Sequence, residues 1–103
     1  MKFILIFLLF PFCSIAQQNY FTVSGKVINA KDSTPLINAS VFAENTTTGT
    51  VTDENGRFKL YLPNGGYNLI VTFTGYNSES KRINSSSSEP LIFEMNIKEQ
   101  DLA

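Results

Sequence analysis

Apolar and polar side chains alternate along most of the chain with a period of two. Between Tyr67 and Thr74, residues Tyr67, Leu69, Val71 and Phe73 fall on one face, and Asn68, Ile70, Thr72 and Thr74 on the other. The run Arg57–Leu62 sets Phe58, Leu60 and Leu62 against Arg57, Lys59 and Tyr61. Toward the end, Leu91, Phe93, Met95 and Ile97 face inward while Glu94, Asn96 and Lys98 face outward. Phe21, Val23, Gly25 and Val27 share a face, as do Ala39, Val41 and Ala43. Successive side chains of a strand point to opposite sides, so each run predicts a half-buried antiparallel strand. No stretch of ten or more residues carries a helical period.

Turn-forming clusters separate these runs: residues 29–35 (NAKDSTP), 45–50 (NTTTGT), 53–56 (DENG), 63–66 (PNGG) and 84–90 (NSSSSEP). Thr50–Thr52 and Ser80–Ile83 add two short strands and bring the expected number to seven. Short strands at this spacing predict an all-β sandwich or barrel.

The N-terminus does not fit that pattern. Lys2 precedes an almost wholly apolar run that ends in Ser14-Ile15-Ala16. The run is too short for a comfortable membrane span, and small residues stand where a signal peptidase cuts, between Ala16 and Gln17. Residues 1–16 are therefore expected to be a signal peptide. Cys13 lacks the small residues that lipoprotein processing requires before the cysteine, since Pro11 and Phe12 stand there. Removing residues 1–16 from 103 leaves 87, with no cysteine, histidine or tryptophan, and with seven basic against nine acidic residues. That length supports one small core, here assigned to residues 17–98, with 99–103 as a tail or the start of a linker. No disulfide can brace the exported chain, no membrane span remains in it, and no clustered basic run invites nucleic acid.

The candidate chemistry centres on Asp53, Glu54, Asn55 and Gly56. Counted from Asp53, an EF-hand loop would need glycine at its sixth position and glutamate at its twelfth; Gly56 comes fourth and Asn64 twelfth. The same residues make a good tight turn, with Asp53 capping the backbone and Gly56 free to take positive φ. Without histidine or a thiol, the usual bases and nucleophiles are missing. Asp53 and Glu54 are adjacent, so they would diverge rather than pair as glycosidase carboxylates. Lys26, Lys59 and Lys81 are expected to be solvated amines. Three N-x-S/T sequences begin at Asn38, Asn45 and Asn84; in a chain this rich in Ser, Thr and Asn, chance is sufficient explanation. No enzyme activity and no cofactor or metal is expected.

Assembled, these pieces carry a resemblance. Gly25-Lys26-Val27 opens the pattern, and Pro35-Leu36 leads into Ala39-Ser40-Val41. Gly49-Thr50, Thr52-Asp53-Glu54-Asn55-Gly56-Arg57-Phe58 and Phe73-Thr74-Gly75-Tyr76 follow. Across residues 22–98 the chain resembles the carboxypeptidase regulatory-like domain, a transthyretin-like (prealbumin-like) seven-stranded antiparallel β-sandwich. Asn38 departs from the family pattern, which usually has glycine before the alanine. The resemblance implies a hairpin of Thr50–Thr52 with Arg57–Leu62 around the Asp53–Gly56 turn, and a non-catalytic role. Such domains buttress zinc carboxypeptidases and open many TonB-dependent outer-membrane transporters of the starch-utilisation type. A signal peptide followed at once by this domain is similar to the second arrangement. The end, KEQDLA, lacks the short hydrophobic segment that often follows there, so both a front fragment and a stand-alone relative remain open.

The leading expectation is an accessory or interaction domain in the periplasm or at the outer membrane of a Gram-negative bacterium, partnered by a neighbouring domain or an outer-membrane protein. The alternative is a small carbohydrate-binding module that holds a glycan on exposed aromatics, with Phe42, Tyr61 and Tyr76 as candidate contacts. A third is self-pairing through an exposed edge strand.

Overall fold

The computed structural model of the chain describes residues 19–86 and 89–99. The expected signal peptide, with its Ala16–Gln17 junction, lies outside the described residues. So does most of the expected tail.

Seven strands form, as the alternation predicts: β1 Tyr20–Asn29, β2 Ser40–Ala43, β3 Gly49–Val51, β4 Arg57–Pro63, β5 Gly66–Thr72, β6 Glu79–Asn84 and β7 Leu91–Met95. They build two sheets, one ordered β4-β1-β7 and the other β3-β2-β5-β6. The inward rows pack against each other across the sandwich. Val23, Val27, Phe58, Leu60, Leu62, Phe93 and Met95 come from the three-stranded sheet; Val41, Ala43, Leu69, Val71 and Ile83 come from the four-stranded one. Leu36 and Ala39 fill the end where β1 leads into β2. Fully burying one such large side chain contributes roughly 1.5–3 kcal/mol, and this core is what holds the sheets together.

Gly25 is required at the centre of β1. A Cβ there would stand 2.6 Å from the Leu91 carbonyl oxygen and 2.7 Å from the Phe58 ring. The strand can pass between β7 and that ring only without a side chain. Phe58 and Phe93 then meet as a tilted pair, 6.1 Å between centroids, a geometry aromatic quadrupoles favour.

Three expectations are corrected. First, β7 pairs with β1 in parallel, with Val27 opposite Phe93; the other strand pairings are antiparallel. β7 reaches β1 by crossing from the other sheet, so no tight hairpin forces it to run antiparallel. Second, Thr50–Thr52 and Arg57–Leu62 do not form a hairpin. β3 pairs with β2 and β4 pairs with β1, so the Asp53–Gly56 turn carries the chain from one sheet to the other. Third, Ile97 is 57% exposed. β7 ends at Met95, and Ile97 forms an isolated bridge with Tyr76 beyond the end of the core.

The passage out of β3 is fastened by Thr52, a buried polar residue between the sheets. Its Oγ1 accepts the Ala39 N–H at 2.9 Å and donates to the Leu36 carbonyl at 2.6 Å. Its backbone N–H donates to the Ala39 carbonyl at 2.9 Å, and its carbonyl accepts the Asn38 N–H at 3.1 Å. Asn38 turns the chain there with φ of 66°. Asparagine tolerates this left-handed conformation better than most residues, so the turn survives the departure from the family's glycine. Replacing Thr52 with valine preserves shape but strands the Ala39 N–H and the Leu36 carbonyl. We expect a loss of about 2–4 kcal/mol for these two unpaired groups. Thr52→Ser should cost only about 1 kcal/mol for the missing methyl. Urea unfolding of the two variants measures the difference, and equal losses would contradict this role of the hydroxyl.

Candidate functional site

The Asp53–Gly56 segment is a closed corner. Asp53 Oδ1 accepts the N–H of Asn55 at 2.8 Å and the N–H of Arg57 at 2.9 Å. The Asp53 N–H donates to the Arg57 carbonyl, and the Gly56 N–H donates to the Asp53 carbonyl, each at 2.9 Å. The Gly56 carbonyl accepts the Val27 N–H at 2.7 Å, which ties the corner to β1. Gly56 has φ of 76°, and a Cβ would lie 2.8 Å from both Pro35 Cβ and the Val27 carbonyl oxygen. The carboxylate is thus committed to the backbone. Among the described residues, no cluster of three or more potential metal ligands occurs.

The three aromatic candidates do not converge. Phe42 is half-buried on the outer face of β2, opposite Ile70 and Gly49. Tyr61 lies on the other sheet, 65% exposed on the outer face of β4 and opposite Thr22. Tyr76 lies between β5 and β6 and is half-buried. Its ring is 5.5 Å from that of Phe73, and its hydroxyl accepts the Asn29 Nδ2–H at 2.9 Å. Tyr76 therefore closes one end of the sandwich.

The lysines divide as well. Lys81 is exposed on β6, opposite Leu69, and its Nζ also lies 5.7 Å from the centroid of the buried Phe93 ring. Its stem covers the rim of the core while its charge faces an aromatic cloud. Lys26 and Lys59 do point outward, and the structure adds Arg57 to them. On the outer face of the three-stranded sheet, Arg57 stands opposite Lys26, and Lys26 opposite Ile92; Ser24 and Lys59 form the next row. These residues, with Val51, Asp53 and Pro90, line an open groove of about 720 Å³. The alternation shows which of these side chains face out. Their meeting depends on the β4-β1-β7 order, which no local pattern encodes. Tyr20, 59% exposed and diagonal to Tyr61 on the same face, is a second exposed aromatic there, which sequence reasoning missed for the same reason.

Two carboxylates are held below the usual range by hydrogen bonds. For Asp53 the main cause is the Arg57 N–H, then that of Asn55; for Asp32 it is the Thr34 hydroxyl, then the Thr34 N–H. A folded-state pKa below the unfolded one gives stability that is present above the unfolded value and lost as pH falls through the folded one. Thermal melts between neutral pH and pH 2 should show a falling Tm below the ordinary carboxylate range. Asp53→Asn keeps an acceptor oxygen but cannot titrate, so its acid-side decline should be shallower, and shallower still in the Asp32→Asn/Asp53→Asn double variant. An unchanged slope in the double variant would contradict this.

Comparison with known proteins agrees with the geometry. A TonB-dependent receptor, SusC of Bacteroides thetaiotaomicron, is 43% identical over 68 residues, which cover 64% of this chain and 6% of the receptor. This chain thus matches a small fraction of that protein's length. A chain in the crystal structure of a type II cohesin–X-dockerin complex from Acetivibrio cellulolyticus, an N-terminal interface mutant, superposes with a TM-score of 0.52 at 23% identity. The superposition covers 73% of this chain and 56% of that one, a likeness of fold alone. The sequence pattern of the CarboxypepD_reg-like domain matches residues 23–103. That span runs from the first buried valine of β1 through the Thr52–Gly56 corner and β7, and the chain belongs to the CarboxypepD_reg-like domain family.

Proposed function

We propose that this chain is a non-catalytic accessory domain, exported to the periplasm, that serves as the N-terminal module of a TonB-dependent nutrient transporter or as a stand-alone relative of one. The similarity to the TonB-dependent receptor carries this reading. The chemistry supports it. The chain has no histidine, and Asp53, the best-placed carboxylate, is consumed by a turn. In this reading residues 1–16 are a cleaved signal peptide, 17–98 the sandwich, and 99–103 the beginning of a linker or tail. The partner is the adjoining transporter, and the site is the outer membrane of a Gram-negative cell. The gene beyond the codon for Ala103, together with membrane fractionation of the exported protein, tests it. We expect a mature N-terminus at Gln17 and recovery with the outer membrane. A stop codon directly after Ala103, no adjacent transporter gene and recovery in the cytosol would overturn it.

A second reading, a glycan-binding module, is favoured by one observation: Tyr61 and Tyr20 lie diagonally on one outer face, both more than half exposed. Exposed aromatic faces suit the apolar side of a sugar ring. Calorimetric titration with a panel of oligosaccharides should then give heat that Tyr61→Ala abolishes. Heat no greater than dilution across the panel rejects the module.

A further inference from the structure

We propose that the outer face of the three-stranded sheet is a docking groove for an extended, acidic segment of a partner protein, in which a carboxylate is followed two residues later by an apolar side chain. The inference rests on reading the domain as an interaction module, but not on the transporter being its partner.

The first observation is an electrostatic cost. Arg57 and Lys26 stand directly opposite each other in the β1–β4 ladder, and like charges in that position destabilise a sheet. Lys59 lies in the next row of the same strand. Charges on edge strands commonly deter unwanted pairing, which accounts for Arg57 and Lys59 on β4. It does not account for Lys26, because β1 is the central strand of its sheet. Two carboxylates stand near these three cations: Asp53, whose Oδ1 is engaged by two backbone N–H groups, and Glu94, outward on β7 and diagonal to Lys26, so the face keeps an excess of positive charge.

The second observation is the shape and lining of the face. The groove is about 720 Å³. Its basic side holds Arg57, Lys26 and Lys59 with Asp53 as the one carboxylate among the described lining residues, and its apolar side holds Pro90 and Ile92, the latter 52% exposed. Neighbouring strands are spaced by about 4.8 Å, so the midpoint between Arg57 and Lys26 lies roughly 7 Å from Ile92. Two residues of extended chain rise by about 6.6–6.8 Å. A peptide crossing the strands can therefore set a carboxylate between the two cations and its i+2 side chain on Ile92. The bulk charge of the chain, formally −1, disfavours a broad anionic surface such as a lipid bilayer and favours a ligand small enough to enter the groove.

The test uses nuclear magnetic resonance of the exported chain, titrated with a synthetic decapeptide carrying three glutamates, each with a leucine two residues on. A peptide with glutamine in place of glutamate is the control. We expect amide shifts confined to Ser24, Lys26, Arg57, Lys59 and Ile92 with the glutamate peptide, and none with the glutamine peptide. The variant Lys26→Gln/Arg57→Gln/Lys59→Gln should weaken binding about tenfold or more, as the loss of charge-assisted contacts requires. Lys31→Gln/Arg82→Gln/Lys98→Gln removes the same net charge elsewhere and should bind as the parent does. Native-like spectra of both variants confirm that each is folded. Absence of shifts at millimolar peptide, equal weakening in both variants, or shifts mapping to the other sheet overturns the proposal. So does binding to phosphatidylglycerol vesicles without binding to peptide, which would assign the cations to a lipid surface. Should the peptide fail while the chain still fractionates with the outer membrane, the groove is refuted and the accessory-domain reading stands.

Discussion

The hydroxyl of Thr52 is the interaction on which the architecture most depends. At this point the chain leaves the four-stranded sheet for the three-stranded one; the Thr52 backbone pairs with Ala39 and Asn38, but the Ala39 N–H and the Leu36 carbonyl are met by a side chain. One side-chain oxygen reaches both a donor, the Ala39 N–H, and an acceptor, the Leu36 carbonyl. The Asp53 carboxylate then holds the next turn, and Gly56 supplies the carbonyl that β1 requires at Val27. Threonine, aspartate and glycine in this order are three successive solutions to one problem: changing sheets without leaving buried polar groups unpaired. The motif carries structure, which accounts for a run so rich in acids and amides through the fold itself.

A small sandwich with no disulfide must also protect its open edges. β3 is only three residues long. β6 turns Lys81 inward over Phe93, placing a charge where a strand added in register would have to bury it. β4 carries Arg57 and Lys59 and ends at Pro63, which has no N–H to offer. β7 is short, and the chain after it is stitched to the β5–β6 connection through Lys98 N–H to Gly75 carbonyl and Asn77 N–H to Asn96 carbonyl. These features work against pairing through edges and leave the outer faces as the surfaces available for recognition.

What the sequence made legible follows from the range of each signal. Alternation is local, and it located the strands and the inward rows that include Phe58, Leu69, Val71 and Phe93. Turn chemistry is local too, and it identified the Asp53 corner as a bend. The direction of β7, the partner of β3 and the exposure of Ile97 are set by which strands become neighbours, so they could not be read from spacing. The ring beneath Lys81 was hidden for a related reason. A lysine in a polar-looking run reads as solvated, and this one is exposed, but its nearness to Phe93 comes from the other sheet and has no local signature.

The same distinction bears on function. Inward positions are constrained by the core, so their pattern reports the fold and little else. Outward positions are free of that constraint, and departures from a bland solvated surface have to be explained by something other than folding. Lys26, on the central strand and directly opposite Arg57, is such a departure, because like charges in that position cost stability and edge protection does not call for a cation there. The aromatics of this chain show the contrast: Tyr76 is half-buried and hydrogen-bonded into the frame, whereas Tyr20 and Tyr61 contribute little to the core and stand on the same face as the cations. The outward side of the three-stranded sheet is therefore the surface whose composition the fold does not explain, and recognition by this domain is best sought there.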